Sequence, residues 1–214
     1  MSKLFLEILD DKRKEAFNKL VSFKSDGVLG GGTALALQIN HRKSFDFDIF
    51  VRGMRFEHLW KKIKNVFGKY SYKTLMADDQ LDIATKEGIK VTFFYDGSKL
   101  IFSTIPSHSI DLMSIRDIAC NKALVLGKRP KWRDYVDIYF LLSQKYITLT
   151  KLIELSNKKF GNDFSTKLFL EQLVYFEDMR EYKIEFIGKE KPVEHIKNYL
   201  KSKVSLFKKA SLGA

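Results

Sequence analysis

Hydrophobic spacing divides the chain into a mixed half and a helical half. Leu4, Ile8, Phe17 and Leu20 recur among charges in an imperfect helical rhythm that predicts an N-terminal helix over 4–21. Ser25-Asp26-Gly27 reads as a turn and Gly27-Val28-Leu29 as a short buried strand. That strand runs into Gly30-Gly31-Gly32 and a helix over 33–40 whose first turn carries Thr33. From Phe45 to Val51, apolar Phe45, Phe47, Ile49 and Val51 alternate with Asp46, Asp48 and Phe50, which is strand period. Helical spacing returns over 56–67, followed by short strands over 70–75, 81–85 and 89–95, the last two joined by a hairpin turn at Glu87-Gly88.

Beyond Asp111 every pattern is helical, over 114–126, 133–144, 150–160, 165–176 and 192–208. The expected fold is therefore α+β. Residues 1–108 form a lobe with a mixed β-sheet and flanking helices, and residues 109–214 form a C-terminal helical lobe. Pro106 and the serines around Ser107 mark a soft boundary.

With 45% hydrophobic and 14% aromatic residues among 214, the chain can bury a substantial core. No apolar run reaches the roughly 18 residues of a membrane helix, and the N-terminus has no signal-peptide core, so the expected setting is cytoplasmic without a membrane partner. Cys120 is alone and reads as a small core residue; the four histidines show no zinc spacing. A net charge of +12 favours polyanionic partners, although a Lys-rich composition by itself would also produce it. Only the placement of the charges separates these readings.

Three features carry candidate chemistry. The glycine run permits close backbone approach of a ligand, and the helix start after it offers free N–H groups to an anion, although a ligand-free turn looks the same. Asp46 and Asp48, two apart on a strand, project from one face, which Ser44 shares if the strand extends back to it. Paired carboxylates there suit Mg²⁺ with substrate phosphates, or a water-facing edge strand. Fourteen residues from Gly32 to Asp46 allow one helix and a return, which places glycines and carboxylates at one sheet end. Arg42 or Lys43, just before them, could reach a triphosphate.

The third feature lies in the helical half. Lys122 falls within the stripe of Ile115, Ile118, Ala119 and Leu126, and the next helix, RDYVDIYFLL, is apolar almost all round except for Arg133, Asp134 and Asp137. A buried Asp137 needs a partner, and Lys122 is available; the pair could aim a charge at a site or simply join two helices. Lys128, Arg129, Lys131 and Arg133, with Trp132 among them, suit a nucleic-acid backbone or an exposed base, or form an ordinary solvated loop.

GGTALAL, HRKSFDFDIF and DIACNKALVLGKRPKWRDYVDIYFLL together resemble the motifs of AbiEii/MenT-type nucleotidyltransferases, toxins of type IV-like bacterial toxin–antitoxin systems with a DNA polymerase β-like fold. The resemblance spans about Leu29 to Leu142. It implies a nucleotidyltransferase-like sheet lobe, and NTP as substrate in the cleft between the lobes. Mg²⁺ (or Mn²⁺) would be held by Asp46 and Asp48, which with Lys122 and Asp137 would be catalytic. Gly31, Gly32, Thr33, Arg42, Ser44, Lys122 and Asp134 would bind nucleotide. The implied acceptor is an RNA, in some members the tRNA 3′ end, with Lys128, Arg129, Lys131 and Arg133 as candidate RNA contacts, and an antitoxin protein is an expected partner. One departure is visible: Thr92 stands where the fold usually supplies a third carboxylate, with Asp82 or Asp96 as possible stand-ins. Alternatives are transfer of a nucleotide or phosphate to a protein or small molecule, and a non-catalytic nucleotide- or RNA-binding module.

Overall fold

Gly27–Gly30 (β1) is buried at every position, as a short apolar run without alternation implies. The computed structural model, which describes residues 3–53, 56–68, 71–95, 97, 99–128, 131–179 and 182–212, places β1 in a five-stranded sheet. The other strands are Phe47–Val51 (β2), Tyr72–Met76 (β3), Gln80–Ala84 (β4) and Lys90–Phe94 (β5), in the order β1-β2-β5-β4-β3. Only β2 and β5 run parallel, so the sheet is mixed, as the pattern predicts. The chain divides into two units, Met1–Ser98 with Ser103–Ser114, and Lys99–Phe102 with Ile115–Ala214.

In the first unit the N-terminal helical pattern resolves into Asp11–Lys19 (α1) between two 3-10 turns. The Asp10 side chain accepts from the Arg13 N–H at 2.9 Å and so caps α1. Gly31–Ile39 (α2) leaves β1 without a connecting loop and stops at Asn40, which adopts a left-handed φ of 53°. Residues 41–46 then run back, and β2 starts beside the end of β1, with Gly30 opposite Asp48. The outer edge of β1 is covered: Leu29 N–H donates to Asp111 O at 2.9 Å and Met113 N–H to Leu29 O at 2.8 Å. Phe17 stacks on Phe47 and Phe23 packs tilted against Phe93 in the core, while Phe56–Phe67 (α3) buries Leu59 and Ile63. At the far edge all five residues of β3 are exposed.

The alternation over 45–51 extends too far at its start. Phe45 precedes β2 and is exposed, with the Arg13 guanidinium 4.8 Å above its ring and Arg13 Nε donating to its carbonyl at 3.1 Å. A cation over the ring face replaces burial there.

The second unit holds Ile115–Leu126 (α4), Trp132–Ser143 (α5), Leu149–Phe160 (α6), Thr166–Gln172 (α7) and Val193–Leu212 (α8). Asp117 on α4 is fully buried; its carboxylate accepts from Ile101 N–H at 2.9 Å, Phe102 N–H at 3.0 Å and Lys159 Nζ at 2.9 Å. It thereby ties Lys99–Phe102 and α6 to one point. Helix α5 is buried on nearly every side, which follows from its sequence. The Tyr135 hydroxyl donates to the Tyr175 carbonyl at 2.8 Å and accepts from Gln172 Nε2 at 2.8 Å.

Burial, first of all, pushes the Tyr135 phenol well above its ordinary range, and the Gln172 hydrogen bond only partly offsets it. Because the folded state resists ionisation, this residue's contribution is complete below about pH 10 and is lost as pH rises beyond it. Tyr135→Phe should cost about 1 kcal/mol at pH 8 through its lost hydrogen bonds. The gap to wild type should close at alkaline pH in urea titrations; a gap that stays constant would exclude this origin.

Candidate active site

In the first unit the sheet end where β1 stops and β2 begins collects most of the residues singled out above. Gly31 has φ +65°, and its Cα faces Asp48 so closely that a Cβ would fall 2.0 Å from Asp48 Oδ2. A side chain is excluded there by geometry as well as by backbone conformation. Gly32 faces the other wall of the turn: a Cβ on it would lie 2.7 Å from Arg42 Nη2 and 3.1 Å from Ser44 Oγ. The backbone N–H groups of Gly31, Gly32 and Thr33 form the first turn of α2, the end of a helix that favours an anion.

Thr33 fixes where the carboxylates stand. Its hydroxyl donates to the Asp46 carbonyl and lies 2.9 Å from Ser44 Oγ, whose own proton is then directed back at it. Thr33 is buried, so this bond pins the returning segment to the helix start. Asp46 and Asp48 are both partly exposed, with buried Phe47 between them. Arg42, expected in a loop, is 3% exposed and donates from Nη1 to the Lys43 carbonyl at 2.9 Å. It forms the wall behind Gly32 rather than an outward arm.

The strand register shows what lies beside Asp48. Gly30, Asp48, Thr92 and Asp82 lie in one row across β1, β2, β5 and β4, each opposite the next, and so share a face. Asp82 is already engaged. Its Oδ2 pairs with Lys90 Nζ at 2.7 Å and its Oδ1 accepts from Gln80 Nε2 at 2.7 Å. Burial alone would raise its carboxyl, but these donors together hold it below the ordinary range. The sequence did not reveal this network, although the hairpin register around Glu87-Gly88 would have aligned Asp82 with Thr92. Asp96 and Arg129 lie outside the described residues.

In the second unit Lys122 Nζ lies 2.6 Å from Asp134 Oδ1 and 2.8 Å from Asp137 Oδ2, with the lysine side chain 11% exposed and the two carboxylates 6% and 0%. Both aspartates of α5 thus converge on one cation of α4. Lys128, Lys131 and Arg133 are exposed, whereas Trp132 is turned inward against Tyr135 at 5.8 Å and Tyr182 at 5.0 Å. The indole is core, which removes it as a base-stacking platform. Cys120 is buried, and burial pushes its thiol up, as suits a core residue.

Among the described residues no group of three or more His, Cys, Asp or Glu could hold a metal ion, and no helix is long and apolar enough to cross a membrane. The donor set at the sheet end still fits Mg²⁺ or Mn²⁺, which takes one or two carboxylates and completes its shell with water and substrate phosphate. A pocket of about 470 Å³ at the opposite end of β1 and β2, lined by Asp26, Arg52, His58 and Lys62 among others, includes none of these residues.

Residues 16–201 match the model of a family described as the nucleotidyl transferase AbiEii toxin of a type IV toxin–antitoxin system. An uncharacterised protein of Aquifex aeolicus is 32% identical over 207 residues, covering 92% of this chain and 96% of that protein. The fold is similar to that of MenT4, a nucleotidyltransferase toxin of Mycobacterium tuberculosis, with a TM-score of 0.59 at 14% identity over 92% of this chain and 82% of that one. It is similar as well to JHP933 of Helicobacter pylori, with a TM-score of 0.58 at 17% identity over 94% of each chain.

Proposed function

Because the chain belongs to the AbiEii family of nucleotidyltransferase toxins, we propose that it transfers a nucleotide from an NTP to an acceptor hydroxyl in a metal-dependent reaction. The observation that carries this reading is the contact of Gly31 with Asp48, which sets a helix N-terminus beside a pair of accessible carboxylates. The triphosphate would lie at the N–H groups of Gly31 to Thr33. Asp46 and Asp48 would hold Mg²⁺ or Mn²⁺, which when bound supplies positive charge to the phosphates.

The chain's own residues do the positioning. Thr33 and Ser44 fix the backbone of Asp46, and Arg42 backs Gly32. The acceptor oxygen attacks the α-phosphorus in line, the bond to the β-phosphate oxygen breaks, pyrophosphate leaves with the electron pair, and the hydroxyl proton passes to solvent. In the helical unit Lys122, with Asp134 and Asp137 orienting its ammonium, is our candidate for a phosphate contact.

An RNA, first the 3′ end of tRNA, is the acceptor we propose. The exposed cations Lys128, Lys131 and Arg133 support it through the phosphate backbone alone, since Trp132 is buried. The protein would then act as the toxin of a pair with an antitoxin. Of the labelled NTPs, each incubated with Mg²⁺ and total tRNA, at least one should label RNA, and Asp46→Ala should lower the rate at least about 100-fold with an unchanged melting temperature. Label on protein or on a small molecule would move the acceptor; no label from any NTP would refute the proposal.

A further inference from the structure

The pocket at the far end of β1 and β2 plays no part in the reaction proposed above. Three pieces of the first unit converge on it: Ser25 and Asp26 before β1, Val51 to Gly53 at the end of β2, and His58, Leu59 and Lys62 in the first turns of α3. His58 and Lys62 are four apart and so share a helix face. Val51 and Leu59 supply the apolar part of the lining.

Charge in this pocket is not balanced. Asp26 is the carboxylate of its described lining, and Lys62 Nζ takes it at 2.7 Å, which holds the ammonium in place and leaves it further donors. Arg52 is exposed and pairs with no carboxylate among the described residues. Its backbone N–H donates to Asp26 O at 2.9 Å and its Nη1 reaches the Ser25 carbonyl at 3.4 Å, so most of the guanidinium's donors face no protein acceptor. The exposed His58 ring makes no hydrogen bond among the described residues. A fixed ammonium, an uncompensated guanidinium and an imidazole in one concavity suit a phosphate group, which guanidinium recognises in fork geometry. The volume of about 470 Å³ exceeds what a bare anion needs and falls in the range that holds a small organic ligand.

We propose that this pocket is a second phosphate-ester site and takes a nucleoside phosphate, with Arg52, His58 and Lys62 on the phosphate and Val51 and Leu59 against the ribose or base. Asp48 and Arg52 are four residues apart along the strand direction, about 13 Å, so no single phosphate touches both ends of β2. The site stands whether or not the other end transfers nucleotides. Two sources supply its ligand, a free nucleotide or one nucleotide of a single-stranded RNA, and the net charge of +12 draws in both.

AMP without divalent metal and a short single-stranded RNA are the probes, with the imidazole signals followed by nuclear magnetic resonance. The signal of His58, one of four histidines, is assigned by its loss in His58→Gln. At least one probe should shift that signal in wild type and bind at least about tenfold more weakly to Arg52→Gln. Gly53→Asp is the second variant. A Cβ at Gly53 meets nothing within 4 Å and its φ lies outside the left-handed region, so the change sets a carboxylate beside the pocket without clash or strain. It should lower affinity at least as much as Arg52→Gln, with an unchanged melting temperature.

A shift with AMP assigns the site to free nucleotide, and a shift with RNA alone assigns it to the strand. Failure of both probes to shift His58 overturns the inference. So does wild-type affinity in Arg52→Gln and Gly53→Asp, or an equal shift with polyglutamate at the same ionic strength, which is attraction to charge without recognition of phosphate. Each of these failures leaves the transfer reaction standing, and an inactive sheet end leaves the pocket standing.

Discussion

Gly31→Ala is expected to abolish nucleotide transfer in a protein that still folds. Two costs fall on this position. The φ of +65° is strained for any residue with a Cβ, at about 1–2 kcal/mol. The larger cost is local, because the new methyl would fall 2.0 Å from Asp48 Oδ2, a separation that no packing tolerates. Asp48 must therefore turn away or the glycine turn must open, and either one separates the carboxylate from the helix start. We expect at least a 100-fold drop in transfer rate, on the order of the loss of a principal electrostatic contact, with far-ultraviolet circular dichroism unchanged. Gly188→Ala is the control: φ is +78° and nothing lies within 4 Å, so it carries backbone strain alone. If the two variants lose activity equally, the contact with Asp48 does not matter for turnover.

Lys122→Met should strongly destabilise the helical unit. It leaves Asp134 and Asp137, 6% and 0% exposed, facing one another without the cation that both reach. Breaking a buried ion pair by removing one partner costs about 3–5 kcal/mol, because the stranded charge has no solvent. The urea midpoint should fall accordingly. Adding Asp134→Asn and Asp137→Asn should recover most of the loss, since neutral amides can be buried at far lower cost. A midpoint equal to that of wild type in the single variant would mean that the ammonium does not hold these helices. The triple variant also separates roles: a protein restored in stability but unable to bind nucleotide would implicate Lys122 in phosphate contact.

Sequence periodicity revealed the mixed sheet, the helical half and the turn-and-carboxylate end of the first unit, because strand alternation and the glycine run are local signals. The residues that build the walls of that end were harder to read. Arg42 looks like a loop cation until its guanidinium is seen behind Gly32, and Trp132 reads as exposed among cations although its ring is in the core. Asp117 with Lys159 left no trace in the spacing, since a buried pair 42 positions apart depends on how α4 meets α6. Thr92 was visible as a departure, but its meaning came from register: only the pairing of β4 with β5 and of β5 with β2 shows that Asp82 is aligned yet occupied.

The bond from Thr33 to the Asp46 carbonyl has a consequence for insertions and deletions. Side chains alternate along β2, buried at Phe47, Ile49 and Val51 and partly exposed at Asp48 and Phe50. Removing one residue from 41–46 so that Thr33 takes the Phe47 carbonyl in place of that of Asp46 would slip the strand by one position, turning Asp48 into the core and Ile49 toward the glycines. Chain length in this segment is thus under the same constraint as the carboxylates themselves. The hairpin tip at Gly88, where an added Cβ would meet nothing within 4 Å, carries no such constraint and is where length can vary.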